Sequence, residues 1–144
     1  MKIVCTLQEL YDIVNNNMRV YNAIIIKNVK VNFDIDFRTI LKGCNICDFK
    51  DKDAFCVLKT PVRLFNITAP KMSFVNIEFN NEIYIGGDDD CDISNIYFCS
   101  CKFFAKERYS MMIDICDSLD LSDCYFSSNA CISSNKPTKK IQIE

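Results

Sequence analysis

A six-residue pattern recurs three times in the second half of the chain and constrains the fold more than any other feature. The pattern is apolar, any residue, Asn or Asp, apolar, any residue, Phe, and its copies are residues 74–79, 93–98 and 121–126. The copies start 19 and 28 residues apart. Repeats of this length indicate stacked units, because one unit cannot bury its apolar face without a neighbour. We therefore predict a solenoid with loops of unequal length on one side.

The polar and aromatic positions of the pattern predict different environments. Asn and Asp are expected at bends between strands, where their side chains hydrogen-bond the backbone. The pattern's final Phe is expected to stack inside the molecule. The residues concerned are Asn76, Asn95 and Asp123 for the bends, and Phe79, Phe98 and Phe126 for the stack.

The N-terminal part predicts one helix followed only by strands. Thr6 and Glu9 fit a capping box, and the apolar face that follows predicts a helix over residues 6–17, ended by three Asn residues. Ala23–Ile26 is a continuous apolar run, which predicts a buried strand. Residues 29–37 alternate apolar and polar, which predicts a strand with one wet face.

These features together resemble the right-handed parallel β-helix of the pectate-lyase-like superfamily. The helix, the Ala23–Ile26 strand and the Ile40-Leu41-Lys42-Gly43-Cys44 stretch are similar to the start of that family's fold, and residues 74–79 resemble its turns. The resemblance implies an all-β, single-stranded β-helix of about four to five coils. It divides the chain into an N-terminal helical cap (1–20), the β-helix (21–134) and a polar C-terminal tail (135–144).

A second solenoid family offers an alternative. Apolar residues recur every five positions, which is similar to pentapeptide-repeat proteins, at Ile93, Phe98 and Phe103 and again at Leu121, Phe126 and Cys131. These runs stop after two or three steps, so the less regular β-helix is the preferred interpretation.

Composition excludes several classes of function. The chain has no His, which excludes His-dependent catalysis and His-ligated metal sites. A net charge of −2 gives no basic surface for nucleic acid. No apolar run is long enough for a membrane helix, and the start does not resemble a signal peptide. We therefore expect a cytoplasmic or virion location, and the abundance of Ile, Asn and Lys indicates an AT-rich genome such as that of a large DNA virus.

The first candidate site is an acidic cluster that consists of Asp88, Asp89, Asp90 and Asp92. It resembles the Gly-Asp-Asp-Cys stretch of polygalacturonases, but the other motifs of that family are missing, so a solvated turn is the preferred interpretation. Calcium binding is an alternative, because hard cations take clustered carboxylates. We expect no other cofactor and no catalytic residue.

The ten cysteines permit three interpretations. We prefer free thiols stacked in a core ladder, because free Cys is among the most buried residue types. A disulfide framework and a four-thiolate zinc site are alternatives, the latter built from Cys44 and Cys47 with Cys99 and Cys101. The ladder candidates are Cys56, Cys91, Cys101, Cys116 and Cys124.

The C-terminal end has no counterpart to the opening helix, and an uncovered solenoid exposes strand edges that favour association. We expect 141–143 to fold over this end or another chain to cover it, with Tyr97, Tyr125, Ile141 and Ile143 as candidate interface residues. Tyr84 and Tyr109 are also expected at the surface. The leading prediction is a non-enzymatic interaction module of a viral or other assembly, with a protein partner or a second copy at the C-terminal end.

Two other functions remain open. One is a protein that binds or cleaves glycans with the acidic cluster in a groove. The other is an acidic solenoid that mimics nucleic acid, indicated by four Asp residues at three-residue spacing, Asp114, Asp117, Asp120 and Asp123.

Overall fold

The computed structural model describes residues 1–51, 53–87, 92–106, 109–114, 118–127, 130–132 and 140–143. It is rich in strands, as the sequence predicted, with two helices, α1 (Leu7–Tyr21) and α2 (Phe37–Gly43). The strands are β1 (Lys2–Val4), β2 (Ile24–Val31), β3 (Ile35–Asp36), β4 (Cys56–Leu58), β5 (Val62–Val75), β6 (Ile77–Phe79), β7 (Ile83–Gly86), β8 (Asp92–Cys99), β9 (Lys102–Phe103), β10 (Met111–Ile113), β11 (Ser118–Ser122), β12 (Tyr125–Phe126), β13 (Ala130–Ile132) and β14 (Lys140–Ile143).

Every pairing between described strands is parallel, and the strands form three rows. The first row runs from the start of β2 through the start of β5 to β7, β10 and β13. The second row runs from β1 through the later parts of β2 and β5 to β8, β11 and β14. The third row is β4, β6, β9 and β12. Parallel strands cannot be joined by a tight hairpin, so the chain reaches each next strand by a long path.

The chain visits the three rows in the same order in each circuit. One circuit is Val62–Phe65 in the first row, the rest of β5 in the second and β6 in the third. The next circuits follow through β7, β8 and β9, and then through β10, β11 and β12. Each circuit adds one strand to each row, so equivalent residues of successive circuits lie beside each other.

The aromatic residues form two columns inside these rows. Phe79, Phe103 and Phe126 form the first column, with neighbouring ring centroids 5.1 and 4.5 Å apart and nearly parallel rings. Phe74 and Phe98 form the second, with centroids 4.5 Å apart. The prediction of a stacked interior is confirmed, but Phe98 belongs to the second column and not to that of Phe79.

The register corrects the middle copy of the repeat. Phe98 pairs with Phe74 and with Leu121, so the equivalent of residues 74–79 is 98–103 and not 93–98. The copies are therefore separated by 24 and 23 residues, a more regular period than the sequence predicted. The true middle copy was missed because it has Ser100 where the pattern requires Asn or Asp.

The bends between the second and third rows have left-handed backbone conformation. Asn76, Ser100 and Asp123 all have φ of 53°. Asn and Asp adopt this conformation more readily than most residues, because their short polar side chains hydrogen-bond locally. The predicted bends at Asn76 and Asp123 are therefore confirmed. Asn95 is different, because it lies within β8 opposite Lys71.

Helix α1 begins as predicted but ends later. The Thr6 side chain accepts a hydrogen bond from the Glu9 amide at 3.2 Å, which completes the cap. The helix continues to Tyr21 and ends at Asn22, which is left-handed with φ of 50°. The predicted end at Asn17 is wrong, because its side chain donates to the Ile13 carbonyl at 2.8 Å and stays within the helix.

A second helix replaces the end of the predicted strand over 29–37. The chain turns after β2, and α2 begins at Phe37, with the Asp36 side chain accepting from the Arg38 amide at 3.1 Å. The alternating apolar residues are nevertheless buried except Phe33, which is partly buried, and Phe37 faces the core from the helix. Gly43 allows close packing of the two helices, because a Cβ there would overlap the Tyr11 ring.

Candidate functional site

A groove follows the outer surface of the first row. Its floor is built from residues at equivalent positions in four paired strands, listed in strand order as Ile25, Arg63, Tyr84 and Met112. These positions face outward because their neighbours along each strand are buried. The lining of this space of about 520 Å³ is completed by Lys27, Phe65, Glu82, Ile83 and Tyr109.

The groove combines an ion pair with aromatic rings. Arg63 Nη2 lies 2.6 Å from Glu82 Oε1, on the groove wall. The Tyr84 ring lies over Gly86, whose added Cβ would meet Tyr84 Cζ at 2.6 Å, and the Tyr84 hydroxyl is 3.5 Å from Asp114 Oδ2. The absence of a side chain at Gly86 therefore leaves room for the Tyr84 ring. Rings beside charged groups can hold a ligand that has both apolar faces and hydroxyl groups.

Only the tyrosines of this groove were predicted to lie at the surface. Tyr84 and Tyr109 both line it and are partly exposed. Arg63 and Met112 were missed, because their sequence contexts show no motif. Their alignment across strands depends on the register of the rows, which the misplaced middle repeat had obscured. An alignment of the row-one strands by their buried residues would have identified the outward positions.

The acidic cluster lies mostly outside the described residues. Asp88, Asp89 and Asp90 lie outside the described residues, and Asp92 is described only as the first residue of β8, opposite Thr68. Calcium binding there stays a prediction. Of the spaced Asp set, Asp117 lies outside the described residues. The other three lie on different elements, since Asp114 follows β10, Asp120 is within β11 and Asp123 is at a bend. They form no row along one face.

The four predicted interface residues occupy two locations. Tyr97 lies within β8, with Lys71 Nζ 5.4 Å from its ring centroid. Tyr125, Ile141 and Ile143 lie on the last described strands of the third and second rows. Residues 141–143 do not fold over the end. They continue the second row as β14, in register with Leu119 and Leu121.

Among the described residues, apolar side chains at the C-terminal end of the core are partly or largely exposed. Ile143 follows Leu121 in register, yet Leu121 is buried and Ile143 is 70% exposed. Phe126 stacks on Phe103 and is only partly buried, while Tyr125 beside it is 56% exposed. At the other end Leu10 and Val14 of α1 are fully buried. The N-terminal end of the core is therefore covered and the C-terminal end presents apolar side chains.

Three predicted ladder cysteines do align. Cys56 pairs with Ile77, and one circuit after Ile77 the equivalent position is that of Cys101, which directly precedes β9. Cys124 stands beside Cys101, since the Tyr125 amide donates to the Cys101 carbonyl at 2.9 Å. Cys101 is fully buried and Cys124 partly exposed. Cys91 and Cys116 lie outside the described residues.

The free-thiol prediction is wrong for Cys56, which forms a disulfide with Cys47. The disulfide closes the loop between α2 and β4. Arg38 Nη1 donates a hydrogen bond to the Ala54 carbonyl of this loop at 2.7 Å. The disulfide takes Cys47 out of the zinc set that the sequence suggested. Cys99 and Cys101 lie on either side of the Ser100 bend, and among the described residues no three Cys, Asp or Glu side chains could hold a metal ion.

Comparisons with known proteins give no relative. No family model matches the chain, and neither a curated protein nor a solved structure matches it. The resemblance to pectate-lyase-like proteins therefore stays a prediction. Neither of the two helices in the described part is long and apolar enough to span a membrane.

Proposed function

We propose that the chain is a non-enzymatic interaction module, built as a small right-handed parallel β-helix and associating through its C-terminal end. The β-helix interpretation is supported by the repeated circuits, each of which adds one parallel strand to each of three rows. The number of described strands in the first row agrees with the expected four to five coils. The absence of His from the whole sequence favours a non-enzymatic role, since it removes the commonest acid–base group.

The contrast in exposure at the two ends carries this proposal. Ile143 occupies a core position of the last strand and is 70% exposed, whereas Leu10 at the opposite end is fully buried. An exposed apolar side chain on the last described strand of a row is a site for association with another chain. Tyr125 adds an exposed aromatic ring at the same end, a residue type enriched in protein interfaces.

The partner that fits this end best is a second copy of the same chain. Helix α1 covers the N-terminal end of the core, so a head-to-tail stack would place apolar strand edges against a helix. Two C-terminal ends can instead meet about a two-fold axis, which gives each copy the same contact. Such a contact closes on itself, so we expect a dimer and not a filament. In a virion or another assembly, the dimer would serve as a rigid building block.

The test is the mass in solution over a concentration series, measured by light scattering. The wild-type chain is expected to approach twice its monomer mass of 16.6 kDa as the concentration rises. Ile143→Lys is expected to shift this transition to at least tenfold higher concentration, because it adds a charge to an apolar contact. Ile3→Lys is the matched control, since Ile3 is 60% exposed on β1 at the other end.

Either of two results would overturn the dimer. One is a constant monomer mass at every concentration. The other is an equal effect of Ile3→Lys and Ile143→Lys, which would show that general surface apolarity causes the association. A mass that grows without limit would instead indicate head-to-tail stacking and contradict the two-fold arrangement.

Glycan binding in the groove is the second candidate function, favoured by the Arg63–Glu82 pair beside Tyr84 and Tyr109. Aromatic rings pack on the apolar faces of sugars, and a paired guanidinium and carboxylate can bind their hydroxyl groups. A glycan array tests this candidate. Tyr84→Ala should abolish any signal and Tyr97→Ala, outside the groove, should not. A signal lost only in the Asp88/Asp89/Asp90→Asn variant would place the site at the acidic cluster instead.

A further inference from the structure

Two stacked cysteines lie side by side at the end of the third row. Cys101 and Cys124 directly precede the neighbouring strands β9 and β12, whose first residues, Lys102 and Tyr125, are paired. Directly paired residues of neighbouring strands have Cα atoms about 4.8 Å apart, which lies within the range that a disulfide spans. The two thiols are therefore placed for an intramolecular reaction.

Their environments differ in access to solvent. Cys101 is fully buried, and its sulfur contacts the Phe74 carbonyl oxygen at 3.3 Å. Cys124 is partly exposed, because β12 is the last described strand of its row. An oxidant can therefore reach Cys124 before it reaches Cys101.

We propose that Cys124 and Cys101 form a thiol–disulfide pair, in which Cys124 is the nucleophile toward a peroxide and Cys101 resolves the product. In the first step the Cys124 sulfur attacks hydrogen peroxide, an S–O bond forms, the O–O bond breaks and hydroxide leaves as water after protonation. In the second step the Cys101 sulfur gives up its proton and attacks the sulfenic sulfur. An S–S bond forms, the S–O bond breaks and a second water leaves.

The electrostatics of the pair agree with these roles. The Cys101 thiol can turn to donate a hydrogen bond to the Cys124 sulfur, and this bond is the main cause that lowers the pKa of Cys124 to about 7. The same interaction and burial raise the pKa of Cys101. The lowered pKa of Cys124 favours the reactive thiolate in the partly exposed partner, while the buried partner keeps its proton.

The decisive experiment maps disulfides in the reduced wild-type chain after treatment with hydrogen peroxide. Peptide mass spectrometry is expected to find a Cys101–Cys124 bond, formed faster than any new bond to Cys99, the neighbour across the bend. Cys101→Ala is expected to stop the reaction at the Cys124 sulfenic acid, which dimedone traps. Cys99→Ala is the matched control and should leave the Cys101–Cys124 bond unchanged.

Alkylation rates give a second readout that requires no oxidation. The iodoacetamide rate of Cys124 should rise with a midpoint near pH 7 in the wild-type chain. In Cys101→Ala this midpoint should move up, and the rate at pH 7 should fall by about fivefold. The proposal is overturned if peroxide links Cys124 to another cysteine or to none, or if Cys101→Ala leaves the midpoint unchanged. Cys101→Ser keeps a hydrogen-bond donor and should therefore retain the low pH midpoint of Cys124 alkylation. This variant also shows whether loss of folding explains the result for Cys101→Ala.

Discussion

The two ends of the core differ in how their apolar side chains are covered. At the N-terminal end, α1 places Leu10 and Val14 over the first strands, and both side chains are fully buried. At the C-terminal end, β14 simply continues the second row and leaves Ile143 70% exposed. The comparison teaches that adding paired strands to a row does not by itself cover the core, because the last strand keeps an apolar side that needs a different kind of cover.

The largest effect is expected within one aromatic column. Phe103 is fully buried between Phe79 and Phe126, whereas Phe126 is the last ring. Phe103→Ala should lower the free energy of unfolding by about 3–5 kcal/mol, and Phe126→Ala by no more than about 2 kcal/mol. Urea unfolding at low protein concentration measures both. Equal losses would show that the column is covered at its end.

The second comparison sets the covered end against the exposed one. Leu10→Ala removes a fully buried side chain and should cost about 2–5 kcal/mol. Ile143→Ala removes an exposed one and should change the stability of the monomer by less than about 0.5 kcal/mol. If Ile143→Ala lowers the free energy of unfolding by more than about 1 kcal/mol in dilute solution, the monomer already buries this side chain.

The covered end also depends on the contact between α1 and α2. Gly43→Ala should cost about 1–3 kcal/mol, because the new Cβ overlaps the Tyr11 ring. The same substitution in a Tyr11→Ala background should cost much less, since the ring is then absent. A double-mutant cycle by urea unfolding gives the difference, and an equal loss in both backgrounds would rule out the steric explanation.

The smallest effect concerns pH. Burial, and secondarily Asp12, raises the pKa of Cys44 from 9.0 to about 11. A raised pKa means that the thiol's contribution to stability is present below pH 9 and is lost as the pH rises toward 11. The urea concentration at the unfolding midpoint should therefore decrease as the pH is raised from 9 to 11, and the decrease should be smaller in Cys44→Ala. Alkylation of Cys44 should also need a higher pH than that of Cys124.

The sequence predicted the parts of this fold that depend on local patterns. The capping box at Thr6 and Glu9 is a local hydrogen-bonding pattern, and the bends at Asn76 and Asp123 follow from residue preference for a left-handed backbone. Features that depend on packing were harder to predict from the sequence. Phe37 fits an alternating strand pattern, but it reaches the core from α2, and a periodic apolar pattern cannot distinguish these two routes.

The candidate sites show the same division. Tyr125 was predicted as a surface tyrosine and Ile143 from the C-terminal end of the solenoid, and the two residues lie on the last described strands of the third and second rows. The groove was not predicted, because Ile25, Arg63 and Met112 become neighbours only through strand register. The Cys47–Cys56 disulfide was missed for a similar reason, since ten cysteines allow many pairings and only the fold brings one pair together.

Hydrogen–deuterium exchange at two protein concentrations tests the central claim most directly, because it shows which strands are covered on association. The account predicts that the amides of Lys140–Ile143 and Ala130–Ile132 become protected at high concentration while those of Lys2–Val4 do not change. Protection that increases at Lys2–Val4, or at neither end while the mass doubles, would contradict association through the C-terminal end.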